Sequence, residues 1–238
     1  MINVKTKRPF LSFSLTACLF FILLIISVRA SALTAIEQQI ITFSHEHFGQ
    51  RAGLRIKSWL ELTHNLQSHS LSLQLSEVNN FFNQLVFIDD IKLWGEDDYW
   101  ATPVQFLNVG GGDGDCEDFS IAKYYTLREL GVDDEKLRLI YVKSLTLNQF
   151  HMVVAYYETP SSMPLILDNI DGEIKPASQR SDLVPVYSFN ATNLWITKGG
   201  AAGSQSLPAG NASNLSMWKK LRRRSQHDTH HPIINLDQ

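Results

Sequence analysis

One segment of the chain, residues 117–130, carries apolar side chains that point in nearly every direction around a predicted helix. The segment ends at Gly131, a residue typical of helix C-terminal caps. A helix that is apolar all round is stable in water only when other elements cover it on every side. The positions concerned are Phe119, Ile121, Ala122, Tyr124, Tyr125, Leu127 and Leu130. We therefore expect this helix to lie at the centre of the fold.

A cysteine, Cys116, stands immediately before this helix and follows the glycine-rich segment 110–114. Glycine permits the sharp turn that such a helix start requires. At a helix start, unpaired amide groups and the helix dipole favour the thiolate, which is the nucleophilic form of cysteine. Three acidic neighbours, Asp115, Glu117 and Asp118, would repel that thiolate. The pattern therefore predicts a cation nearby, either a metal ion or an imidazolium.

Residues 1–32 are organised like an export signal: basic residues precede an apolar run over residues 10–28, and small residues at 30–32 offer a cleavage site. The run is also long enough to span a bilayer, so an uncleaved anchor is the alternative. Without this segment Cys116 is the only cysteine, and no internal disulfide can form. A single thiol in an exported protein is either buried and inert or takes part in the chemistry of the protein. The polar surroundings of Cys116 favour a chemical role.

The charge distribution excludes one class of partner. The chain has 238 residues with 44% hydrophobic side chains, which is enough for one domain with a full core. Residues 33–216 hold 12 Lys and Arg against 22 Asp and Glu. So acidic a body is not expected to bind nucleic acid, whereas divalent cations and basic protein surfaces suit it.

Apolar periodicity predicts helices before the cysteine and strands after the central helix. The helices are expected at residues 33–43, at residues 51–67, and from Ser76 as N-cap through Leu85. The strands are expected at residues 137–143, 151–157, 164–168, 184–189 and 194–197.

The C-terminal part, residues 201–238, is interpreted as a linker and a basic tail. Residues 199–216 are rich in Gly, Ala, Ser and Asn, which is typical of a flexible linker. Residues 215–224 could form a short basic amphipathic helix that docks on the acidic body or touches a membrane surface, but a solvated tail is preferred.

The strands at residues 151–157 and 164–168 are predicted to form an antiparallel hairpin that folds about Pro160 and Ser161. Paired positions then sum to 321, so His151 lies opposite Ile170 and Asp168 is its diagonal neighbour on the same face. The register therefore places an imidazole and a carboxylate within side-chain reach.

Cysteine catalysis needs a base for the thiol proton, a group that orients the base, and donors for the oxyanion. Cys116, His151 and Asp168 supply the nucleophile, the base and the orienting carboxylate in chain order. The amide of Cys116 is the expected oxyanion donor, and Gln105 and Trp100 are candidates for a second.

The acidic residues beside Cys116 have two interpretations. Hard oxygen ligands next to a glycine-rich turn suit Ca²⁺. Acidic residues are also favourable at any helix N-terminus, with no metal involved. The residues alone leave both interpretations open.

An ordered set of motifs resembles a known family. The strings are DYWATP, GDCEDFSIAKYYTLRELGV, LRLIYVK, HMVVAYY, PLILDN and PASQRSDLVPVYSFN. Over residues 33–200 they resemble the LapG-like periplasmic proteases, the bacterial transglutaminase-like cysteine proteinases. The resemblance implies an α+β, papain/transglutaminase-like fold, in which N-terminal helices precede a central helix that is headed by the catalytic cysteine and packs on an antiparallel sheet.

The resemblance also implies function. Cys116, His151 and Asp168 match the family's catalytic triad, and Asp115 and Glu117 match acidic residues that carry its calcium dependence. It implies a periplasmic enzyme that cuts a large surface adhesin near its N-terminus and thereby releases biofilm cells. An inner-membrane cyclic-di-GMP receptor is the implied regulator.

Two alternatives use the same residues differently. A transglutaminase would form the same thioester and pass its acyl group to an amine instead of water. A catalytically inactive domain would bind a peptide or a receptor.

Overall fold

The computed structural model describes residues 33–88, 90–96, 98–113, 116–198, 205–224 and 227–228. The predicted signal at residues 1–32 lies outside the described residues. The helices are α1 (Ala35–Phe48), α2 (Gln50–Leu66), α3 (Leu71–Phe82), α4 (Asp90–Leu93), α5 (Pro103–Val109), α6 (Glu117–Glu129) and α7 (Ser216–Leu221). In the described part of the chain, no helix is both long enough and apolar enough to cross a membrane.

The strands are β1 (Val86–Ile88), β2 (Gly111–Asp113), β3 (Leu137–Ser144), β4 (Gln149–Tyr156), β5 (Leu165–Leu167), β6 (Lys175–Pro176), β7 (Leu183–Phe189), β8 (Asn193–Lys198) and β9 (Gln205–Asn211). Strands β3 to β9 form an antiparallel sheet in the order β6-β5-β4-β3-β7-β8-β9. Strands β1 and β2 form a separate short parallel pair. The α+β prediction is confirmed.

Helix α6 is the central helix that its sequence predicts. Phe119, Ile121, Tyr124 and Leu127 are all at most 2% exposed although they point to different sides of the helix. Strands β3 and β4 cover one side of α6, and helices α3 and α5 cover others. Its C-terminal turn ends at Gly131, whose φ of +88° is a left-handed conformation that favours glycine.

The N-terminal helices follow the predicted pattern except at one start. Helices α1 and α2 confirm the first two predictions to within a few residues. The predicted N-cap at Ser76 is wrong, because α3 begins at Leu71 and its N-cap is Ser70. The Gln74 side chain donates to the Leu66 carbonyl at 2.9 Å, so a tertiary contact holds the turn between α2 and α3 and starts the helix early.

The predicted hairpin has the predicted register. Val154 lies opposite Leu167 and Tyr156 lies opposite Leu165, so paired positions sum to 321. The pairing ends at Leu167, and Asp168 is the first residue beyond β5. The register prediction is therefore confirmed where the strands pair, and it places Asp168 beside the start of β4.

The C-terminal part of the chain contradicts the linker prediction. Residues 205–211 form the edge strand β9, and the compact unit that begins at Leu33 extends past residue 200. An edge strand pairs with a neighbour on one side only and is held there by backbone hydrogen bonds. A segment with small and polar side chains, such as residues 205–211, can therefore form an edge strand without an alternating apolar pattern. The solvated-tail prediction is also wrong for residues 216–224, whereas the docking alternative is confirmed: Arg222 donates to the Ala191 carbonyl at 3.2 Å.

Trp218 on α7 anchors this C-terminal part. Its side chain is fully buried, with ring centroids 5.2 Å from Phe189, 5.7 Å from Tyr125 and 6.0 Å from Tyr124. Trp218→Ala is therefore expected to lower the free energy of unfolding by about 3–5 kcal/mol, measured by urea denaturation. The matched control is Lys219→Ala on the exposed side of the same helix. Equal stabilities for the two variants would mean that the C-terminal part does not stabilise the domain.

Candidate active site

The turn that leads to Cys116 is built on a close approach between Gly110 and Arg55. Gly110 ends α5 with a φ of +86°, and a Cβ atom there would lie 2.9 Å from the Arg55 guanidinium. Arg55 Nε donates to the Leu107 carbonyl at 2.6 Å, and its Nη2 donates to the Asn108 carbonyl at 2.8 Å. Gly110 is therefore required both for its backbone conformation and for its lack of a side chain.

Cys116 lies directly before α6 and is 4% exposed. Its Sγ accepts a hydrogen bond from the amide of Met152 at 2.8 Å. One turn further along α6, Ser120 Oγ donates to the Met152 carbonyl at 2.8 Å. Both polar groups of Met152 thus hold α6 against β4, one residue beyond His151.

His151 and Asp168 form the pair that the hairpin register predicts. His151 Nε2 lies 2.7 Å from Asp168 Oδ1, and both side chains are at most 2% exposed. The predicted contact is confirmed. Because Nε2 faces the carboxylate, Nδ1 is the ring nitrogen that remains to exchange a proton with a thiol.

Arg180 completes the hydrogen bonding of Asp168, and the sequence analysis did not identify it. Arg180 Nη2 donates to Asp168 Oδ2 at 2.7 Å, and the Ile170 amide donates to Oδ1 at 3.0 Å. Burial alone would raise the pKa of Asp168, but the bonds from His151, Ile170 and Arg180 hold that pKa well below its usual value. Asp168 is therefore ionised. The one sequence signal for Arg180 is its place in the string PASQRSD.

Three acidic side chains, those of Glu117, Asp98 and Asp90, lie close enough to repel one another. Glu117 is 6% exposed, and burial first, then repulsion from Asp98 and Asp90, raises its pKa to about 7. Its Oε2 lies 3.7 Å from Cys116 Sγ. Asp90 is 3% exposed, its Oδ2 accepts from the Tyr99 amide at 2.7 Å, and its Oδ1 has no hydrogen-bond partner among the described residues.

This acidic cluster fits part of a cation site. Buried carboxylates such as those of Glu117 and Asp90 are hard oxygen donors of the kind that Ca²⁺ prefers. Asp115, the other predicted ligand, lies outside the described residues. Within the described ranges, no group of three or more His, Cys, Asp or Glu side chains is arranged to hold a metal ion. Glu117 and Asp90 would therefore hold an ion only together with further oxygens.

Asp118, the third acidic neighbour of Cys116, contacts the backbone of another segment. It is 1% exposed, and its Oδ1 accepts from the Ala101 amide at 2.6 Å. This bond attaches the segment before α5 to the start of α6.

One of the two candidates for a second oxyanion donor already makes a side-chain hydrogen bond. Gln105 caps α5 through Thr102, and its side-chain amide donates to the Tyr99 hydroxyl at 2.8 Å. Trp100 packs parallel to Phe189 with ring centroids 5.8 Å apart, so it closes the core. Trp100 also lines a cavity of about 360 Å³ together with Glu117, and it stays a candidate donor.

Lys123 is a second residue that the sequence analysis missed. It follows Cys116 and Ser120 on one face of α6 and is fully buried, and its Nζ has no hydrogen-bond partner in the described part of the chain. Burial lowers the pKa of Lys123 to about 7, although the charges of Asp168 and Cys116 oppose the shift. Its ammonium group therefore adds positive charge near Asp168 and Cys116 at slightly acidic pH.

The lowered pKa of Lys123 predicts a pH effect on stability. Between pH 7 and pH 10 the unfolded chain keeps the lysine proton and the folded protein releases it, so stability increases with pH. Relative to Lys123→Met, the wild type is expected to gain about 2 kcal/mol between pH 7 and pH 9, measured by urea denaturation. Lys219→Met, at an exposed position, is the control. A pH-independent difference between wild type and Lys123→Met would contradict the shift.

Comparisons with known proteins agree with this geometry. Residues 41–198 match the family described as bacterial transglutaminase-like cysteine proteinase BTLCP. No match was found among curated protein sequences. Legionella pneumophila LapG, in an EGTA-treated structure, is 43% identical with a TM-score of 0.68, and the match covers 78% of this chain and 95% of that one. The calcium-bound structure of Legionella pneumophila LapG is 41% identical with a TM-score of 0.66, covering 79% and 97%.

Proposed function

This chain belongs to the bacterial transglutaminase-like cysteine proteinase family, and on that premise we propose that it is a calcium-dependent endopeptidase with Cys116, His151 and Asp168 as its catalytic triad. The observation that supports the triad most directly is the buried 2.7 Å contact between His151 Nε2 and Asp168 Oδ1. His151 lies on β4, and the amide of the next residue, Met152, donates to Cys116 Sγ. The carboxylate of such a pair orients the imidazole, and a pair of this kind next to a cysteine at a helix start is typical of a catalytic triad.

The chemistry follows from the atoms present. The thiol of Cys116 transfers its proton to His151 Nδ1, and the thiolate attacks the carbonyl carbon of the scissile peptide bond. The carbonyl oxygen becomes an oxyanion, for which the amide at the start of α6 is the available donor. The intermediate then expels the amine, which takes the proton from His151, and leaves a thioester on Cys116.

Water completes the cycle. His151 accepts a proton from water as the oxygen attacks the thioester carbon, and the thiol is restored when the carboxylic acid leaves. Asp168 remains ionised throughout, because Arg180 and the Ile170 amide hold its charge. Its role is to fix the tautomer of the ring and to stabilise the imidazolium.

Calcium fits the acidic cluster beside Cys116. Glu117 and Asp90 would hold the ion together with Asp115, and the positive charge of the ion would balance the negative charge of these carboxylates. Because Glu117 Oε2 lies 3.7 Å from Sγ, neutralising this carboxylate removes a charge that opposes the thiolate. The calcium-bound structure of Legionella pneumophila LapG supports the choice of ion.

Calcium binding is expected to depend on Glu117. Glu117→Gln should weaken calcium affinity about 10-fold or more in isothermal titration calorimetry, because it removes a charged ligand. Glu129→Gln, at the exposed end of the same helix, should bind calcium like the wild type. Unchanged affinity in Glu117→Gln would remove this residue from the proposed site.

We propose as substrate a large surface adhesin that is cut near its N-terminus, which releases biofilm cells, and the periplasm as the place of action. An inner-membrane cyclic-di-GMP receptor is the proposed regulator. The sequence motifs that resemble LapG-like proteases support these proposals, together with the 41–43% identity to Legionella pneumophila LapG.

The direct test incubates the purified protein with an N-terminal adhesin fragment, with calcium or with a chelator, and identifies products by mass spectrometry. A single cut that requires calcium is expected. Incorporation of an added amine into an uncut fragment would identify a transglutaminase instead. An unchanged fragment, together with failure of a thiol-directed probe to label Cys116 at neutral pH, would support an inactive binding domain.

A further inference from the structure

The antiparallel sheet has a second apolar face, directed away from α6. Its core consists of Ile140, Val142, Val153, Ala155, Ile166 and Leu183, which are at most 8% exposed. A cavity of about 400 Å³ lies over this face. Arg180, which holds Asp168, also lines this cavity, and the other lining residues have no part in the proposed peptidase chemistry.

One end of the cavity holds Arg138 between two aromatic rings. The Arg138 guanidinium carbon lies 4.0 Å from the centre of the Trp195 ring and 4.6 Å from that of Tyr157. Both rings lie within cation–π distance of the guanidinium, and Arg138 also hydrogen-bonds the Tyr157 side chain. The buried Nε of Arg138 has no hydrogen-bond partner among the residues that the structure describes.

Ser188 provides a second donor at the same end. Ser188 on β7 lies opposite Ile140 on β3, which places it on the same sheet face as Arg138 and one strand away. It lines the cavity and is 2% exposed, and within the described ranges its Oγ has no hydrogen-bond partner. Arg138 Nε and Ser188 Oγ are thus two buried polar atoms with unused hydrogen-bonding capacity at the apolar floor of this cavity.

Physical chemistry limits what can occupy such a site. A buried polar atom without a partner is unfavourable, and a guanidinium binds carboxylate more strongly than a neutral acceptor. A carboxylate has two oxygens, enough to accept from both Arg138 and Ser188. The apolar floor beyond them requires an apolar body, and about 400 Å³ lies within the range of small-molecule sites.

The shape of the floor favours an elongated ligand. The cavity is lined from Arg138, near the start of β3, to Leu183, which lies opposite Ser144 at its end. At the usual rise of a strand, these positions are about 20 Å apart. We propose that this cavity binds a long amphipathic monocarboxylate, with the carboxylate on Arg138 and Ser188 and an aliphatic chain along Ile140, Val142 and Val153.

The test is calorimetric titration of the full chain, with calcium present, using decanoate below its micellar concentration and 1-decanol as the uncharged analogue. Decanoate is expected to bind with one site per chain, and decanol about 10-fold or more weakly, because it lacks the charge that Arg138 recognises. Equal affinity for the two probes, or no saturable decanoate binding, would overturn the proposal.

Variants locate the site. Arg138→Met should weaken decanoate binding about 10-fold or more, and Ser188→Ala by about 5-fold. Arg223→Met, an exposed arginine outside the cavity, should bind like the wild type. Urea denaturation of each variant without ligand separates loss of folding from loss of binding. Ser188→Ala removes only a hydroxyl and stays informative if Arg138→Met unfolds; unchanged affinity in Ser188→Ala would overturn the assigned carboxylate position.

Discussion

Replacement of Cys116 by alanine is expected to abolish cleavage of the adhesin fragment, with a loss of about 10⁴-fold or more in kcat/KM. The reason is that no other thiol is available after residue 32, and the thioester cannot form without one. His151→Ala should cause a comparable loss, because members of a triad act as a unit and their effects do not add.

The measurement is a time course of fragment cleavage at saturating calcium. Thiol labelling provides an independent readout: a thiol-directed probe should label the wild type once and should not label Cys116→Ala. Glu129→Gln, exposed on the same helix as the cysteine, is the active control. Cleavage that survives in Cys116→Ala would end the triad proposal.

Arg180→Met is expected to lower both activity and stability. It leaves the Asp168 carboxylate buried with one charged partner fewer, which is expected to lower the free energy of unfolding by about 3–5 kcal/mol. A carboxylate that is less firmly held also orients His151 less well, so kcat should fall about 100-fold or more with a smaller change in KM.

Two variants separate positioning from stability. Asp182→Asn removes the charge of a second acidic partner of Arg180, at 2.8 Å, but keeps the bond to Asp168, so it should retain most of the activity. Arg180→Lys keeps the charge but lacks the planar fork that reaches both carboxylates, so it should recover stability more than kcat. A wild-type kcat in folded Arg180→Met would show that Arg180 stabilises the fold without positioning the triad.

Local patterns predicted much of the core. The all-round apolar segment after Cys116 is buried as expected, because no position on such a helix tolerates water. The hairpin register followed from the positions of two strands and one turn, and it brought His151 to Asp168. Both predictions succeeded because they depend on spacing between residues that are close in the chain.

Predictions failed where contacts between separate elements decide the structure. Strand β9 has the composition of a linker, and only the free edge of β8 makes it a strand. Ser76 resembles a helix start, but the contact of Gln74 with the end of α2 begins α3 earlier. Gln105 was predicted as a candidate oxyanion donor, whereas in the structure its amide donates to the Tyr99 hydroxyl.

The sequence by itself determined the family, the central helix and the three residues of the proposed triad, because ordered motifs and side-chain periodicity are properties of the linear chain. Only the tertiary structure decided that Arg180 holds Asp168 and that Lys123 is buried on the face of α6 that carries Cys116. It alone also showed the donors of Arg138 and Ser188 on the opposite face of the sheet. Hydrogen bonds and burial between residues far apart in sequence depend on how the strands and helices pack, and no local pattern records that packing.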